Sequence, residues 1–224
     1  MRMTISRFRL VGLASAALLA MPYAWAQDVE LLVTHSEVSS GADGVRRSTE
    51  FSERMSRSRD NIWISRVLPS GSRSGHEQAK ADRQHKHLDV STASRWITHG
   101  ADGTVQVRIV PNDERVVVNV GKTDYGNIGF DGSWTAAWNL IDPALLTRMK
   151  AGRVAGGLTT YTLLETGRNL KVVWNGKLQI PAMIESTDRS SRRQTVVQVL
   201  DRSAARPWDK LRGLPQKDYS DYLD

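Results

Sequence analysis

Leu170-Lys171-Val172-Val173-Trp174-Asn175-Gly176-Lys177-Leu178-Gln179-Ile180-Pro181 decides the fold class. Leu170, Val172 and Trp174 alternate with Lys171 and Asn175, and Leu178, Ile180, Ala182 and Ile184 alternate with Gln179 and Glu185. Successive side chains of a strand point to opposite faces, so this spacing of two describes strands with one apolar face. Asn175-Gly176 between them tolerates the positive φ that a type I′ turn requires. The stretch therefore predicts an antiparallel hairpin packed on a core from one side.

The same pattern extends in both directions. Val29, Leu31 and Val33 alternate with Glu30, Leu32 and Thr34; Val105, Val107 and Ile109 with Gln106 and Arg108; and Thr195, Val197 and Val199 close the series. Turn chemistry separates the runs at 40–44, 100–103, 111–114 and 167–169. About nine strands are predicted, near 28–38, 45–55, 61–68, 104–110, 115–120, 158–166, 169–175, 178–187 and 192–200. Short connections make neighbours antiparallel. Two segments break the meander. Within the first, 89–97 is predicted as a short helix with Val90, Ala93 and Ile97 on one side. The second, 121–157, holds the clearest helix signal: Asp142 as N-cap, Pro143 in the first turn, Leu145, Leu146 and Met149 as apolar stripe, and Gly152 as stop. Residues 136–140 before it are a further helical candidate. The expected fold is mainly β, a curved antiparallel sheet forming a half-open barrel around one or two short helices; the alternative is a β-sandwich.

The chain of 224 residues opens like an export signal. Arg2, Arg7 and Arg9 precede an apolar run over 10–21, and Ala24-Trp25-Ala26 offers the small residues a signal peptidase accepts, with cleavage after Ala26. The run is too short for a membrane-spanning helix, which needs about 20 apolar residues. No stable span is expected once it is removed. There is no cysteine, which excludes disulfides and a lipid-modified N-terminal cysteine. Residues 27–203 then form one β-rich domain with a polar excursion at 69–90, and 204–224 form a polar C-terminal tail. That tail either frays or docks along the sheet edge as a helical turn through Trp208, Leu211 and Leu214. The periplasm is the expected compartment. The net charge of +7 falls when the three leader arginines leave, and the remaining basic residues are scattered, so nucleic acid is not an expected partner.

No nucleophile elbow, zinc-protease motif or phosphate-binding loop occurs. All five histidines lie between His35 and His99. An enzyme is therefore not expected. His85-Lys86-His87 places two imidazoles on one side of an extended chain, and His76 lies nearby. With His35 or a neighbouring carboxylate, His76, His85 and His87 form a candidate zinc or copper site. The competing account is a polar loop that happens to carry histidine. Trp63, Trp134, Trp138 and Trp174 are the candidate ligand-binding residues. They either line an apolar cavity or pack as ordinary core, with Trp134 and Trp138 on one helix face.

The strand–turn–strand over 170–181, continued over 182–186, resembles that of the periplasmic half-barrel superfamily, which includes the Lol-type lipoprotein carriers and the N-terminal domain of anti-sigma-factor regulators. Phe130-Asp131-Gly132-Ser133-Trp134 is similar to the segment leading into their helices. The resemblance implies a curved sheet whose cavity is covered by helices and, in the carriers, takes acyl chains, with an arginine inside the cavity holding the lid. It implies a non-enzymatic periplasmic binding or accessory protein whose concave face holds a lipid, a lipoprotein or a segment of an envelope protein. The alternative function is zinc or copper binding through the histidine-rich loop.

Overall fold

Val29, Leu31 and Val33 are buried while Glu30, Leu32 and Thr34 between them are only half-buried, so the first strand is apolar on one face. The structure, a computed structural model, describes residues 28–68, 88–201 and 205–223; the expected signal peptide at 1–26 and most of the polar excursion at 69–90 lie outside these. The strands are β1 (Val29–Ser40), β2 (Arg46–Ser58), β3 (Asn61–Val67), β4 (Ser94–His99), β5 (Val105–Val110), β6 (Val117–Val120), β7 (Lys150–Ala155), β8 (Leu158–Glu165), β9 (Arg168–Asn175), β10 (Ile180–Asp188), β11 (Ser191–Asp201) and β12 (Gln216–Asp218). All belong to one 12-stranded sheet in the order β12-β6-β5-β4-β3-β2-β1-β11-β10-β9-β8-β7. Every pairing is antiparallel except β12 with β6. A single open sheet with two edges is neither a closed barrel nor the alternative sandwich of two sheets.

The registers put Leu31, Met55, Ile64 and Val197 on one face, with Ile97, Val107 and Val120 further across. That inner face is covered by the 3-10 helix Lys122–Ile128 and by α1 (Trp134–Asn139), and together they form the main core. A smaller core lies under the 3-10 helix Pro143–Arg148, where Leu146 and Met149 meet Val172 and Trp174. The local capping signals act here as their residue types predict. The Asp142 side chain accepts from the Ala144 amide at 2.9 Å, and Pro143 sits in the first turn.

Four details depart from the sequence expectation. Residues 94–99 form strand β4 rather than part of a helix, because Ile97 pairs between Ile62 and Val107 and a strand buries it. The helix after Asp142 is a 3-10 turn ending at Arg148, and Gly152 lies inside β7 instead of terminating it. α1 begins at Trp134, earlier than its candidate range, because Ser133 caps it by accepting from the Ala136 amide at 3.1 Å. The Asn175-Gly176 pair does not make a two-residue hairpin. The Asn175 side chain accepts from the amides of both Lys177 and Leu178, which widens the loop and folds Leu178 into the core, with Gln179 taking the positive φ of 55°. The tight turn with two positive φ values falls at Gly156-Gly157, joining β7 to β8.

The end of the chain docks. Pro207–Leu211 form a 3-10 turn with Trp208 buried, and β12 then lies parallel to β6. Tyr219 and Tyr222 beyond it are buried in the main core. No alternation in the tail predicts this strand; the free amides and carbonyls along the outer side of β6 supply its partner groups.

Candidate functional site

Three elements meet over the middle of the inner face, and one side chain ties them. Arg57 on β2 is fully buried. It donates through Nη1 to the Trp138 carbonyl of α1 at 2.5 Å and through Nη2 to the Leu178 carbonyl of the β9–β10 loop at 2.5 Å. Its Cζ lies 5.0 Å from the Trp138 ring, a cation–π contact. Among the described residues its Nε has no partner. Burial lowers the Arg57 pKa to about 10. β2 and β10 are separated in the sheet by β1 and β11, about 14 Å at the usual strand spacing. An arginine on β2 reaches the loop before β10 only because the sheet curls and that loop turns inward.

α1 presents its aromatic face at the same place. The Trp134 and Trp138 rings are 5.2 Å apart at 34°, and Trp134 stacks on His99 of β4 at 5.1 Å and 23°. These two tryptophans, four apart, share one helix face. Trp174 lies on the same side of the sheet but in the smaller core. Trp63 faces the other way: it sits opposite Trp96 and Ser56 on the outer face, where Arg108 stacks on Trp96 at 4.5 Å. The four candidate tryptophans therefore form one pair, one neighbour in the second core and one outward residue. The apolar middle of the inner face is filled by α1 and its aromatic side chains.

Past α1 the inner face turns polar. The directly paired residues His35 and Phe51, then Val33 and Glu53, bring His35, Phe51 and Glu53 to one surface. Glu53 accepts from Arg95 Nη2 at 2.9 Å and lies 3.6 Å from His35 Nε2. His35 Nδ1 is 3.1 Å from Thr195 Oγ1, and its ring is 4.8 Å from that of Phe51. Burial alone would raise the Glu53 pKa, but contact with His35 and the charges of Arg95 and Arg66 overcome it and hold the carboxyl below its ordinary range. A groove of about 450 Å³ opens here, floored by His35, Phe51, Glu53, Arg66 and Arg95 and walled by Val90 and Ile128.

Three solved structures align with most of the chain at low identity. A LolA superfamily protein from Nitrosomonas europaea aligns at 8% identity over 83% of this chain and 90% of its own, with a TM-score of 0.37. A putative outer membrane lipoprotein-sorting protein domain from Vibrio parahaemolyticus aligns at 7% identity over 82% and 89%, with a TM-score of 0.33. A DUF1329 family protein from Desulfovibrio piger aligns at 10% identity over 77% and 84%, with a TM-score of 0.30. The likeness is one of fold alone. No protein-family model and no curated protein sequence matches the chain.

His76, His85 and His87 lie outside the described residues. His35, the candidate to complete their metal site, is engaged by Thr195 and Glu53, and among the described residues no group of three or more metal-ligating side chains gathers. No helix among the described residues is long and apolar enough to cross a membrane. Sequence patterning alone misses Arg57, Glu53 and Arg66. Arg57 shares the parity of Met55, so a second strand extended past residue 55 would carry it on the inner face.

Proposed function

We propose that the protein is an exported, non-enzymatic binding protein whose inner sheet face takes an apolar or amphipathic ligand, whether a lipid, a lipoprotein or a segment of an envelope protein. The observation that carries this reading is the Arg57 bond to the Trp138 carbonyl. A cation is buried with two backbone carbonyls and a ring as its partners, and burial works against its charge. Such a group costs free energy to bury and adds little net stability; the best-attested role of a buried charge is to set register or to act in a switch. Here it fixes a six-residue helix that plugs an apolar face. Lifting α1 exposes Trp134 and Trp138 together with the strand residues beneath them, an apolar wall suited to acyl chains or apolar side chains. Export rests on the basic start, apolar run and Ala24-Trp25-Ala26 of residues 1–26.

The mature protein, purified from a Gram-negative envelope fraction, is expected to carry lipid by mass spectrometry or to bind a fluorescent fatty acid. Arg57→Met frees α1 and is expected to strengthen probe binding by about tenfold, the equivalent of one latch hydrogen bond. Absence of copurified lipid together with no binding by either protein sinks the lipid reading and leaves a protein segment as ligand. N-terminal sequencing that begins elsewhere than Gln27 overturns the cleavage site.

A further inference from the structure

We infer that the groove floored by His35, Phe51 and Arg66 is an anion site that holds the negatively charged end of an amphipathic ligand, as a carboxylate or phosphate group. It deepens the function proposed above and rests on that reading only for the ligand's apolar part. Arg66 extends from β3 with its Cζ 3.6 Å from the centre of the Phe51 ring, so the guanidinium is stacked on the ring. Stacking fixes the plane of its five N–H donors, and a fixed fork matches the two oxygens of a carboxylate or phosphate.

The charges around it leave a surplus of positive sign. The Glu53 carboxylate is taken up by Arg95 at 2.9 Å and sits beside His35 at 3.6 Å. Toward the neighbouring strand, Arg193 is matched by Glu37 at 3.0 Å. Among the described residues Arg66 is thus the cation of the groove without a carboxylate of its own, since the one within range of it, Glu53, is already paired. His35 stands next to Phe51, with its ring nitrogens turned to Thr195 and Glu53. A second groove of about 280 Å³ shares His35 and Phe51 and leads toward Thr195. The same inner face carries the apolar patch under α1, which places an anionic end and an apolar tail on one surface.

The test uses the mature protein, with a fluorescent polyene fatty acid, its methyl ester and inorganic phosphate as probes. The acid is expected to bind about tenfold tighter than the ester, and Arg66→Gln to bring the two together while leaving the ester unchanged. Arg66→Lys, which keeps the charge and loses the fork, is expected to fall between. In parallel, phosphate is expected to shift the His35 imidazole resonances of the native protein and not those of Arg66→Gln. Equal binding of acid and ester with no phosphate effect overturns the anion site and leaves the apolar reading intact. A phosphate effect that disappears in Arg66→Gln, without any fatty-acid binding, supports the anion site and removes the apolar reading. If Arg66→Gln does not fold, the acid-to-ester ratio and the phosphate shifts of the native protein decide alone.

Discussion

Glu53 is an acid whose folded pKa lies below its ordinary value of 4.5, because His35, Arg95 and Arg66 outweigh the effect of its burial. A carboxyl of this kind contributes stability that is present above the unfolded pKa and lost as pH falls through the folded one. Thermal unfolding of native protein and Glu53→Gln should therefore differ most near neutral pH. The two melting temperatures should converge as the solution is acidified below about pH 4.5. A gap that stays constant with pH would show that Glu53 acts by packing alone. Arg57 obeys another logic, since its partners are carbonyls and a ring. Arg57→Ala leaves the Trp138 and Leu178 carbonyls buried without donors and empties the space beneath α1, at a cost of about 2–4 kcal/mol. Arg57→Met refills most of that space and removes a buried charge, so denaturant titration should place it between the native protein and Arg57→Ala. If Arg57→Ala unfolds at the native denaturant midpoint, the latch holds nothing.

Among the elements, those whose own residues carry their boundaries form where the pattern predicts them, and those that depend on a distant partner do not. The alternating strands around 29–33, 105–109 and 170–174 are in place, as is the Asp142 cap, because period and cap are local signals. For β4 the pattern points to a helix, since Val90, Ala93 and Ile97 are spaced three and four apart, and only the neighbours Ile62 and Val107 draw Ile97 into a strand. β7, whose residues are exposed throughout, shows no apolar alternation to find. β12 has three residues, all exposed, and exists because β6 offers it an edge. A chain ending at Ser203 therefore loses β12 together with Trp208, Tyr219 and Tyr222 and bares the β6 edge. It should melt several degrees lower, about 2–4 °C for each kcal/mol lost from a domain of this length, and should self-associate in sedimentation. A monomer with the native melting temperature would show that the end of the chain is dispensable.

For the whole molecule, alternation and turns are enough to indicate one open, mostly antiparallel sheet with short helices, which is the architecture found. The polar groove is not legible in the sequence: His35, Glu53, Arg66 and Arg95 come from four strands, and only their register unites them. That register has a further result in time. β1 begins the described chain, yet it lies in the middle of the sheet, zipped to β11 near its end, and the His35–Thr195 contact joins positions 160 apart in sequence. Hairpins on either side close over short loops, whereas this seam must wait for almost the entire polypeptide. A chain synthesised N-terminus first holds the inner edge of its first hairpin open until the last long strand arrives. Folding kinetics of Val197→Ala should therefore show the full loss of stability in the unfolding rate and almost none in the folding rate, a φ-value of about zero. Until that seam closes, the two meanders are separate half-sheets, each with a bare edge in the middle of the future protein, and the interval before closure is when those edges are open to pairing with another chain.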